Sequence, residues 1–71
     1  MIRGLILDYL KEKGIKQVWL SEKTGISRQA LSTTLNGERN LDIEEYTKIC
    51  DALELEYDYF FNKRMQANKS A

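Results

Sequence analysis

Apolar residues recur along this chain at intervals of three and four, and the runs break at glycines. Ile2, Ile6, Tyr9 and Lys13 fall on one stripe at helical spacing, with Leu5 and Leu10 beside it. The spacing predicts a first helix over 2–13. Gly14 stands where a left-handed residue closes a helix, and Ile15 would fold back onto the helix end. Leu7 points away from the stripe and has no local partner.

A second helix is predicted over 17–23, with Leu20, Ser21 and Thr24 on its inner face. Gly25 suits the tight turn that follows, because a positive φ costs it nothing. Lys16 stands where a Ser or Asp cap would serve better, so the start of this helix leaves N–H groups free to meet an anion. The third helix, over 27–35, starts with Ser27 as N-cap, and Ile26 and Leu31 have the spacing of a hydrophobic staple. Leu31 and Leu35 face inward beside Ala30 and Thr34. At 100° per residue, Gln29, Thr33 and Asn36 lie on the opposite face, flanked by Arg28 and Ser32.

The fourth helix, over 42–53, carries the clearest start signal. Asp42 caps, Glu45 follows three residues later, and Leu41 can staple to Tyr46. Tyr46, Ile49, Cys50 and Leu53 then form an amphipathic stripe. The aromatic run Tyr57 to Phe61 predicts a short fifth helix over 57–61, some of whose rings must close the core. Residues 62–71 show no periodicity and are expected to be a disordered basic tail. The fold class is therefore all-α, a five-helix bundle spanning 1–61 as one domain.

Composition narrows this picture. Seventy-one residues bury only ~60% of their unfolded surface, so a stability of roughly 4–10 kcal/mol is expected. The single cysteine, Cys50, and the absence of histidine exclude a disulfide framework and a cysteine/histidine zinc cluster. A lone cysteine without a secretory segment suits a reducing cytoplasm. No apolar run is long enough to span a membrane. The net charge is zero, but its distribution is uneven. Over 11–39, Lys11, Lys13, Lys16, Lys23, Arg28 and Arg39 outweigh Glu12, Glu22 and Glu38. Over 40–61, Lys48 alone opposes Asp42, Glu44, Glu45, Asp51, Glu54, Glu56 and Asp58. Such an asymmetric domain can still bind DNA through one face.

Taken in order, Lys13-Gly14-Ile15-Lys16-Gln17, Leu20-Ser21, Gly25-Ile26-Ser27, Leu31, Asn36-Gly37, Leu41, Ile49 and Ala52-Leu53 resemble the lambda-repressor-like family, the Cro/CI-type or XRE helix-turn-helix domains. The resemblance covers about residues 2–61. It implies a compact five-helix bundle and a transcriptional regulator that binds double-stranded operator DNA as a homodimer. It also implies that Gln17 meets backbone phosphate, that Ser27, Arg28, Gln29, Ser32 and Thr33 face the major groove, and that Asn36 and Arg39 approach phosphate. Two positions depart from the family pattern. Leu10 and Leu35 occupy places where many members pair an Arg with a Glu. Val18 and Trp19 make the outer face of the second helix apolar where it is commonly polar.

The chemistry of these side chains supports the same face. The Gln29 amide can donate and accept together, matching adenine N6 and N7. Arg28 fits guanine O6 and N7 or a phosphate. Ser32 and Thr33 are short enough for a base edge or a thymine methyl. Lys16, Gln17 and Arg39 would hold register through phosphate. Lys11, Lys13 and Lys23 are expected to be solvated, and Trp19 to cover a neighbouring helix or to meet a partner chain or the DNA backbone. A protein-interaction module, such as the antitoxin of a toxin–antitoxin pair, is the competing function, with Trp19 or the 57–61 aromatic cluster as its contact. No metal, cofactor or catalytic constellation is expected, and the chain does not read as an enzyme.

Overall fold

In a computed structural model, which describes residues 2–69, five helices pack around one core. They are α1 (Ile2–Lys13), α2 (Gln17–Thr24), α3 (Arg28–Leu35), α4 (Ile43–Leu53) and α5 (Tyr59–Lys69). The starts of α1 and α2 fall where the sequence pattern put them. Ser27 and Asp42 sit one residue outside their helices, as the capping residues they were expected to be.

The ends of the helices follow local chemistry. Gly25 takes a left-handed φ of 79° and its N–H closes α2 onto the Ser21 carbonyl at 2.9 Å. An L-residue there would be strained by its backbone alone. Asp42 and Glu45 form a reciprocal capping box at the start of α4, satisfying two N–H groups that a helix start leaves unpaired. Glu54 caps the other end of α4 in the left-handed region, at φ 57°.

Helices α1 and α5 pack together, α3 lies on α1 and α2, and α2 also packs on α4. Ile6, Leu10, Leu20, Leu31, Leu35, Tyr46, Ile49, Cys50 and Phe60 are buried between them, with Ile26 at the turn. Leu10 and Leu35 are 4% and 1% exposed, so an apolar core stands where the family pattern often has an ion pair. Leu7 packs half-buried against the core. Its expected isolation does not hold, because α1 is covered on two sides, by α3 and by α5.

Helix α5 differs most from expectation. It begins at Tyr59 rather than Tyr57 and continues to Lys69, so residues 62–69 are helical instead of forming an unstructured tail. Residues 70 and 71 lie outside the described residues. Phe60 is its anchor, fully buried with its ring edge-on to Tyr9, Tyr46 and Tyr59 at centroid distances of 5.9, 6.5 and 5.1 Å. The Tyr46 hydroxyl donates to the Tyr57 carbonyl, tying α4 to the turn before α5. Cys50 is fully buried, and burial pushes its thiol pKa up, which makes it inert packing.

Truncating a buried aromatic of this kind costs ~3–5 kcal/mol, a large part of the stability available to so short a chain. Phe60→Ala is therefore expected to leave much of the protein unfolded at 25 °C. Far-ultraviolet circular dichroism with urea titration measures this.

Candidate nucleic-acid interface

The turn between α2 and α3 is held by side chains as well as by Gly25. The Ser21 hydroxyl donates to the Ile26 carbonyl at 2.5 Å. The Thr24 hydroxyl donates to the Leu20 carbonyl at 2.8 Å and accepts the Ile26 N–H at 3.2 Å. These bonds, with Leu20 and Ile26 buried beneath them, fix the angle at which α3 leaves α2. Ser27 then caps α3, its oxygen accepting the Ala30 N–H at 3.2 Å. Buried Ile26 and Leu31 flank that cap in staple register.

Helix α3 has two chemically distinct faces. Leu31, Thr34 and Leu35 are almost fully buried. Arg28, Gln29 and Asn36 are exposed, with Ser32 and Thr33 half-buried between them. The expected reading arc is thus assembled on one face of one helix. Thr33 turns its hydroxyl back to the Gln29 and Ala30 carbonyls, both at 3.0 Å. Asn36 Nδ2 lies 3.4 Å from the Ser32 oxygen, a weak contact that leaves the amide free to turn.

Lys16 precedes α2 in extended conformation and makes no side-chain cap. Exposed Lys16 and half-buried Gln17 stand together at the start of that helix, where free N–H groups and the helix dipole favour an anion. Exposed Ser27 keeps its O–H proton for a further acceptor.

Arg39 departs from expectation. Its Nε donates to Thr34 Oγ1 at 3.1 Å, and its Nη2 forms an ion pair with Glu45. The side chain stays 47% exposed, but its guanidinium is engaged by Thr34 and Glu45 within the fold. Sequence spacing gave no signal of this, because the bonds span five and six residues across a loop.

Trp19 lies against a neighbouring helix, the first of the two roles expected of it. It lines a groove with Lys48, Asp51 and Ala52 of α4 and is still 39% exposed. Lys23 lies over its ring at 5.7 Å, and Lys13 lies over Tyr9 at 5.8 Å, so these cations are partly engaged by aromatic faces. Lys11 is exposed. Among the described residues, no cluster of His, Cys, Asp and Glu could hold a metal ion. Nor is any described helix long and apolar enough to cross a membrane.

Two short helices joined by a glycine turn, the second capped and polar on its outer face, define a helix-turn-helix unit. A family model described as helix-turn-helix matches residues 6–60. The chain belongs to the Cro/CI-type, or XRE, helix-turn-helix family, a family of DNA-binding regulators. No curated protein and no solved structure matches it significantly.

Replacing an N-cap serine by alanine removes one of the few bonds that hold the first turn of α3. Ser27→Ala is expected to cost ~1 kcal/mol of stability, read as a shift of the urea midpoint with an unchanged slope.

Proposed function

We propose that the protein is a sequence-specific transcriptional regulator of the repressor type. It lays α3 in the DNA major groove and acts by occupying its site, without catalysis. The observation that carries this reading is the outer arc of α3, where Arg28, Gln29, Ser32, Thr33 and Asn36 share one accessible face of a helix whose other face is locked in the core.

In this mode Gln29 pairs with adenine N6 and N7, and the Thr33 methyl meets a thymine methyl. Ser32 contacts a base edge. Arg28, at the first position of the helix, takes either a guanine edge or a phosphate. Lys16 and Gln17 hold one strand's phosphates near the start of α2, Ser27 faces the major groove at the start of α3, and Asn36 approaches the backbone at its far end.

The working form is a homodimer, since a single eight-residue reading helix covers few base pairs. An open groove of about 560 Å³ between α1, α4 and α5 suits a second copy. Leu41, Ile43 and Phe61 give it an apolar centre, with Ile43 73% exposed and Phe61 45% exposed. Arg3, Arg64 and Asp42 supply both signs of charge on its walls. A surface that meets its own copy across a two-fold axis needs that self-complementarity.

A second role, as the DNA-binding antitoxin or adaptor for a partner protein, draws support from Val18 and Trp19, 37% and 39% exposed on the outside of α2. It is compatible with the first.

Two experiments test these assignments. Selection from a random DNA pool should enrich one site, with affinity falling steeply as salt rises. Gln29→Ala should then weaken that site by ~1–3 kcal/mol while leaving random-sequence binding nearly unchanged. Equal loss on both removes the base-reading role. Separately, Ile43→Glu places an acid in the first turn of α4, where the helix dipole tolerates it, so the fold should persist. Sedimentation equilibrium is expected to show the wild type associating and this variant shifted toward monomer.

A further inference from the structure

We infer that Arg39 is a positioning residue that clamps the recognition helix to the cap of α4, rather than a phosphate contact. This rests on the DNA-binding reading above and extends it to how α3 is held. Among the described residues Thr34 is the one buried polar residue, 1% exposed, and it sits on the inner face of α3. Its hydroxyl oxygen takes the Arg39 Nε–H at 3.1 Å. The other end of the same guanidinium pairs with Glu45, whose side chain is only 14% exposed. Glu45 in turn closes the capping box, with its own N–H bonded to Asp42 Oδ1 at 2.8 Å. One planar cation thus joins the last turn of α3 to the first turn of α4 and closes the polar loop between them.

The geometry depends on the fork of an arginine. Nε and Nη point in fixed directions from one plane, so a single side chain reaches the hydroxyl and the carboxylate together. A lysine keeps the charge but offers one compact ammonium, which cannot reproduce both directions. Arg39–Glu45 is also the sole ion pair among the described residues, so no neighbouring pair duplicates the link. The consequence for DNA binding is indirect. The C-terminal turn of α3 carries Asn36 and follows directly on Ser32 and Thr33, and an eight-residue helix has too few internal bonds to hold that end alone.

The test separates charge from geometry. Arg39→Lys preserves the charge near DNA but should lower the melting temperature by about 5 °C and weaken the selected site about tenfold. Arg39→Gln should weaken the site similarly while leaving the slope of log affinity against log salt unchanged. A phosphate contact would instead reduce that slope by about one. In a double-mutant cycle with Glu45→Gln, the melting effects of the two substitutions should be clearly non-additive. An Arg39→Lys variant with wild-type affinity and melting temperature, or a slope reduced by about one in Arg39→Gln, or additive melting effects, overturns the clamp. The melting cycle needs no DNA. A wild-type protein that selects no site overturns the DNA-binding reading and the positioning role with it. Wild-type binding with an undisturbed Arg39→Lys variant overturns the clamp alone.

Discussion

The burial of one face of α3 is the constraint on which the rest of this structure turns. Eight residues make about two helical turns, too short to be stable in isolation. The helix exists because Leu31, Thr34 and Leu35 are packed in the core, and its outer arc is defined by the same packing. Rotating α3 by one residue would move a leucine outward and a proposed reading residue inward. The direction in which Gln29 faces is therefore a property of the core. The ties at each end complete this. Ser21, Thr24 and Ser27 fix the entry, and the loop from Asn36 to Leu41, gathered by Arg39, fixes the exit.

Helices α1 and α2 pack directly on that face, and α5 and α4 in turn cover α1 and α2. Phe60 fills the space among Tyr9, Tyr46 and Tyr59 with edge-to-face contacts, a geometry favourable beyond the area it buries. A chain this short has no second core to fall back on. Loss of the aromatic closure would release α1 and, with it, the surface against which α3 is set.

What was legible in the sequence was local. Ser27, Asp42 and Glu45 announced two helix starts, Gly25 announced a turn, and 3.6-residue spacing announced which residues of α3 and α4 face inward. The same spacing put Arg28, Gln29, Ser32, Thr33 and Asn36 together on the outer face of α3. What was missed depends on contacts distant in sequence. Leu7 lies off the α1 stripe and is half-buried only because α1 is covered on two sides. Residues 62–69 have no apolar period, yet no glycine or proline interrupts them, and a helix nucleated at the anchored Phe60 continues at little cost. The charge of Arg39 alone suits a phosphate. In the structure its guanidinium joins the Thr34 hydroxyl to the Glu45 carboxylate across the loop, contacts that no local spacing encodes.

The zero net charge bears on how such a protein would find its site. Non-specific affinity for DNA comes almost wholly from phosphate neutralisation. Here Lys16 and Arg28 flank the proposed contact face, whereas α4 exposes Glu44 and Asp51. Beyond a Debye length of about 8–10 Å these fields largely vanish, so the asymmetry orients the domain at close range more than it attracts it from afar. With a small electrostatic term, the proposed mode would draw a larger share of its binding energy from base contacts and from pairing two copies on one site. That balance favours discrimination over raw affinity, because contacts to bases distinguish sequences and contacts to phosphates do not. It also makes the exact set of α3 more consequential here than in a strongly basic domain. A reading helix displaced by an ångström loses directional hydrogen bonds, and this chain has little compensating charge to hold it on the DNA.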